Sequence, residues 1–113
     1  MLNRSVCRPV VNQVGAQELD EFADRLGWLL DHVPGPTGER WTYEGLAREC
    51  TRRGTPLTST AIRHYLRGRR SAPPARTVFE LADIFDIDPR YFWRAEYAQR
   101  IRGEIVRLAE RRL

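Results

Sequence analysis

Apolar residues recur along this chain at steps of three and four, never in strict alternation, and glycines and prolines divide the stretches that carry them. That punctuation allows a set of short helices and leaves no room for a sheet. Between Glu18 and Val33 the apolar positions are Leu19, Phe22, Leu26, Leu29, Leu30 and Val33, one face of a first helix. Glu18, Asp20, Glu21 and Asp24 sit at its start, where the helix dipole favours acids, and Pro34-Gly35-Pro36-Thr37-Gly38 stops it. Thr42 is suited to cap a second helix with Leu46, Ala47 and Cys50 inward and Gly54 as its stop. Within it Gly45 costs ~1 kcal/mol relative to alanine, or lets another helix approach closely. Thr58 caps a third helix, Ser59 to Arg67, with Ile62, Tyr65 and Leu66 inward and Gly68 at its end. A fourth helix runs over Ala75 to Phe85 on Val78, Leu81, Ala82 and Phe85. Asp88-Pro89 opens a short fifth with Tyr91, Phe92 and Trp93 toward the core. A terminal helix from Glu96 carries Tyr97, Ile101, Ile105 and Leu108 along one stripe.

The 113 residues suffice for one small core. Residues 1–17 read as an N-terminal tail or arm, 18–94 as the helical domain, and 95–113 as an appended helix. No apolar run approaches the ~20 residues of a membrane span, and the N-terminus lacks the apolar stretch of a signal peptide. Cys7 and Cys50 have no CxxC spacing, which argues against a disulfide scaffold or zinc site and for a reducing cytoplasm. Catalysis finds no support. His32 and His64 have no cysteine or carboxylate at ligand or triad spacing, and Asp86 and Asp88 fall at a helix junction where acids cap amides. Cys50 reads as core, and so do Trp28, Trp41 and Trp93. A non-enzyme with no cofactor and no metal is expected.

Charge is more informative. All 19 basic residues are arginines, whose planar forks match phosphates and guanine edges. Residues 41–76 hold eight of them against Glu44 and Glu49, whereas residues 77–113 balance and residues 1–40 are slightly acidic. A positive surplus confined to one window is the footprint of a polyanion site. On the third helix the outward set is Ser59, Thr60, Arg63, His64 and Arg67, followed by Arg69-Arg70, with no acid among them. A helix exposed only to water normally mixes acids with bases, whereas this face suits the major groove, where phosphates line the walls.

Several residues, in order and at their spacing, resemble the Cro/C1-type (XRE) helix-turn-helix family. They are Thr42-Tyr43-Glu44-Gly45-Leu46-Ala47, Thr58, Ile62, Gly68, Pro74, and Leu81-Ala82 leading to Phe85-Asp86-Ile87-Asp88. The likeness covers roughly residues 22–93. Tyr43 stands where that family usually has a phosphate-binding glutamine, and Arg48 to Leu57 is longer than its compact turn. The longer turn, Asp88-Pro89-Arg90-Tyr91-Phe92 and the trailing helix look most like actinobacterial regulators of the EspR type.

The resemblance implies an all-α, five-helix helix-turn-helix domain plus a C-terminal helix. It implies a transcriptional regulator of double-stranded DNA, acting in the cytoplasm at the nucleoid. Base reading carries over to Ser59, Thr60, Arg63 and His64. Thr42 and Tyr43 are candidates for one phosphate, and Arg67, Arg69, Arg70 and Arg76 for others. Arg52 and Arg53 lie farther along the second helix and read as solvated. Tyr97, Ile101, Ile105 and Leu108 would form the interface of a homodimer spanning two half-sites. The alternatives are an antitoxin-like or adaptor module that docks a protein partner, and a non-specific nucleoid organiser. RNA binding is weaker, because the aromatics read as buried.

Overall fold

The periodic segments all form helices. The computed structural model describes residues 10–68 and 73–111, with side chains from Glu21 onward. It contains α1 (Val10–His32), α2 (Tyr43–Arg52), α3 (Ser59–Leu66), α4 (Ala75–Phe85), a 3-10 turn (Pro89–Phe92) and α5 (Ala95–Arg111). The chain is all-α, with no strand among the described residues. None of the described helices is long and apolar enough to cross a membrane.

α1 begins at Val10, eight residues before the expected start, so residues 10–17 are helix rather than tail. Nothing in Val10 to Gln17 forbids this, since the lone Gly15 costs a helix only ~1 kcal/mol. The rest of the expected tail, with Cys7, lies outside the described residues. Phe22, Leu26, Leu29 and Leu30 form the buried face of α1. The Phe22 ring meets Tyr65 of α3 edge-on at 5.7 Å and Phe92 of the 3-10 turn at 5.4 Å, which joins three elements at one point. Leu46 and Cys50 from α2, Val78, Leu81 and Phe85 from α4, and Ala98 and Ile101 from α5 complete the core. Burial pushes the Cys50 thiol up to about 11, so at neutral pH it is an apolar core group.

Asp86 ends α4 in the left-handed region (φ 58°), and Asp88 caps the 3-10 turn by accepting from the Arg90 amide at 2.9 Å. The fifth helix expected there is this single tight turn. It buries Tyr91 and Phe92, but Trp93 is 50% exposed and packs edge-on against Phe79, itself 49% exposed. The core reading of Trp93 is therefore corrected. Of the three rings expected in the core, only those of Tyr91 and Phe92 belong to the 3-10 turn; Trp93 is the cap that ends it, at φ −135°, and its ring leaves the core. Trp28 and Trp41 do pack against the core, each partly buried.

Tyr91 ties the two terminal helices together. Its ring is fully buried; its hydroxyl donates to the Arg25 carbonyl of α1 at 2.8 Å and accepts from Arg102 Nε of α5 at 3.3 Å. Arg102 in turn reaches Asp24 at 3.0 Å. Tyr91→Phe removes the bond to the Arg25 carbonyl and the one from Arg102, and is expected to lower stability by about 1–2 kcal/mol. Thermal denaturation reads this as a midpoint lower by about 4–8 °C per kcal/mol, and an unchanged midpoint would show the hydroxyl to be idle.

Candidate nucleic-acid interface

Both α2 and α3 begin on a threonine in extended conformation. Thr42 Oγ1 accepts from the Gly45 amide at 2.9 Å, and Thr58 Oγ1 accepts from the Ala61 amide at 3.0 Å. A Cβ on Gly45 would stand 2.9 Å from Thr42 Oγ1, so a side chain there would require this cap to shift, whereas the Thr58 cap accommodates Ala61 at the equivalent position. The connection between the helices is held at several points. Gly54 takes φ +98°, Thr55 donates its amide to the Cys50 carbonyl at 2.9 Å, and its buried hydroxyl donates to Glu80 at 3.0 Å. Thr51 Oγ1 donates to the Leu57 carbonyl at 3.3 Å.

On α3 the residues Ala61, Ile62 and Tyr65 are buried and Leu66 partly so. Ser59, Arg63 and His64 are half-buried, and Thr60 and Arg67 are exposed. The five expected outward residues thus share the open side of one short helix. Arg63 is not free there: its Nη2 donates to Glu44 of α2 at 3.1 Å, and its guanidinium stands 5.6 Å from the centre of the Tyr43 ring. Tyr43 is half-buried against the core. The absence of acids along α3 is therefore made good from α2, a pairing that spacing within one helix does not reveal.

The other arginines of the basic window divide into two groups. Arg52 and Arg53 are not merely solvated: both donate to Glu49, at 3.0 and 2.8 Å, and Arg53 also approaches Glu80 at 3.7 Å. Hydrogen bonds from Arg52 and Arg53 hold the Glu49 carboxyl down at about 2. Arg76 donates to the Gly54 carbonyl, which ties the start of α4 to the end of α2. Arg48 and Arg67 are exposed and make no ion pair among the described residues. Arg69 and Arg70 lie outside the described residues.

The expected dimer stripe is only partly open. Ile101 is 8% exposed and belongs to the core, and it also lines the groove beside Tyr97 and Ile105. The appended helix is likewise part of the domain over its first half, because Ala98 and Ile101 close the core beside the 3-10 turn. Tyr97 is half-buried, with the Arg90 and Arg100 guanidiniums 4.3 and 4.7 Å from its ring centre. Ile105 is partly buried, and Leu108 is 51% exposed. Ile87, Tyr97, Ile105 and Leu108, with Arg90 and Arg100, line an open groove of about 550 Å³.

No group of acids, histidines and cysteines among the described residues could hold a metal ion. No protein-family model matches the chain, and a search of curated proteins returns no significant match.

Glu49 yields a pH prediction. Its carboxyl is held far below its ordinary 4.5, so its contribution to stability is complete above that value and fades as the pH falls toward about 2. Urea midpoints measured across this range should fall less steeply with acid for Glu49→Gln than for the native chain. Parallel profiles would show that the two arginines do not hold the carboxylate in solution.

Proposed function

We propose that this chain is a sequence-reading DNA-binding protein, a transcriptional regulator of the helix-turn-helix class, in which α2 and α3 meet the duplex and α3 enters the major groove. The observation that carries the reading is the outer side of α3. An eight-residue, threonine-capped helix presents Ser59, Thr60, Arg63, His64 and Arg67 and no carboxylate of its own. A groove walled by phosphates complements such a face. Arg63 reads guanine through O6 and N7, Ser59, Thr60 and His64 contact neighbouring base edges, and Arg67 meets the backbone.

Thr42 Oγ1 accepts from its own helix and keeps its O–H to donate, so the α2 contribution to a phosphate comes from Thr42, from Tyr43 and from the amides of that first turn. Arg69, Arg70 and Arg76 supplement the backbone contacts. With about five phosphates engaged per subunit, binding falls with salt at a log–log slope of about −4 to −5. The protein acts as a homodimer over two half-sites, with Leu108, Ile105 and Tyr97 along the α5 groove as the contact. The half-exposed pair Phe79 and Trp93 favours a second reading, in which this helical domain docks a protein partner through an aromatic patch.

Fluorescent duplexes, one selected from a random pool and one scrambled, decide between the readings. DNA binding predicts salt-dependent association, and a preference of about a thousandfold for the selected site marks a specific regulator. Salt-dependent binding without preference marks a nucleoid organiser, and no binding at low salt favours the protein partner. Arg63→Ala should reduce selected-site discrimination by about 1–3 kcal/mol, whereas Arg67→Ala should weaken both duplexes alike and shallow the salt slope by about one. Equal effects of the two substitutions would show that Arg63 reads no base. Leu108→Asp should halve the mass found by sedimentation equilibrium, and an unchanged dimer mass would place the interface elsewhere.

A further inference from the structure

The Arg63 side chain is shared between two helices. Its guanidinium has five N–H donors, of which a guanine edge takes two. One, on Nη2, goes to Glu44 at 3.1 Å, and the Tyr43 ring lies 5.6 Å from the guanidinium carbon. Glu44 stands in the first turn of α2, where the helix dipole favours a carboxylate, and Tyr43 is packed against the core. The arginine itself remains 40% exposed. A long, rotamer-rich side chain is thereby confined by a carboxylate and an aromatic face on a neighbouring helix, with the rest of its fork open to solvent.

We infer that Glu44 is a specificity-determining residue that positions Arg63 for guanine, with Tyr43 as the platform. The inference rests on the DNA reading above and deepens it. In the specific complex Glu44 keeps its hydrogen bond while other N–H groups of the same fork meet O6 and N7. The ordering of the arginine is then complete before the duplex arrives, which favours the matched base. Against phosphates alone the same carboxylate is a nearby negative charge and opposes binding. Glu44 therefore acts with opposite sign on matched and unmatched duplexes, which a residue that merely supports the fold does not do.

The test uses the full chain and the two duplexes already described, with Glu44→Ala, Glu44→Gln, Arg63→Ala and the Glu44→Ala/Arg63→Ala pair. Glu44 and Arg63 are both partly exposed, and circular dichroism checks that each variant remains folded. Glu44→Ala is expected to weaken selected-site binding by about threefold to fivefold, the effect of a surface ion pair, and to strengthen scrambled binding by about twofold. Glu44→Gln keeps an acceptor and should recover part of the selected-site affinity. With Arg63→Ala already present, Glu44→Ala should strengthen binding to both duplexes equally, because only the general charge effect remains. If Glu44→Ala shifts both duplexes in the same direction with Arg63 intact, or if the cycle is additive, the positioning role is overturned while the DNA reading stands. If the native chain and all variants fail to bind either duplex at low salt, the DNA reading falls and the inference with it.

Discussion

The packing of Ala61, Ile62 and Tyr65 beneath α3 decides what the rest of the molecule can present. Eight residues are too few for a stable helix in water, so α3 is helical because that inner side is buried, with Tyr65 locked edge-on against Phe22 of α1. Once those positions face inward, the helical period leaves Ser59, Thr60, Arg63, His64 and Arg67 on the other side. Core and candidate interface are thus two faces of one constraint. The two threonine caps and the left-handed Gly54 and Gly68 set where the helices begin and the connections turn.

Most of this architecture was legible in the sequence because its signals are local. Thr42 and Thr58 cap as their positions imply, Gly54 and Gly68 take positive φ, and Cys50 is core. What escaped was decided by tertiary packing or by weak local preference. The early start of α1 falls where no residue strongly favours or forbids helix. Trp93 turns outward because it is the residue that ends the 3-10 turn, outside the winding that places Tyr91 and Phe92. Ile101 follows the same stripe as Leu108, and spacing alone does not tell which part of that stripe the chain covers itself.

The interface was legible in part for the same reason. The outward set on α3 follows from the inward one, so its members share a face as the spacing implies. The partners of its arginines come from elsewhere in the fold. Glu44 and Arg63 lie on different helices, and Arg53 reaches Glu80 across to α4. Charge counted along the chain locates the basic window but not which guanidiniums are already engaged. Within it Arg48 and Arg67 stand apart from Arg52, Arg53 and Arg63, a division that only the assembled helices produce.

The brevity of α3 has a thermodynamic consequence for the surface it carries. A long amphipathic helix can fray at one end and keep a binding face at the other, whereas two turns held by three buried side chains have no such intermediate. Opening α3 means withdrawing Ile62 and Tyr65 from the core, so the patch is lost with the cooperative unit beneath it. Any ligand that grips this face is linked by mass action to the folding equilibrium of the whole domain. Substitutions deep in the core then weaken recognition without touching the ligand, simply by lowering the population of chains that have the face at all.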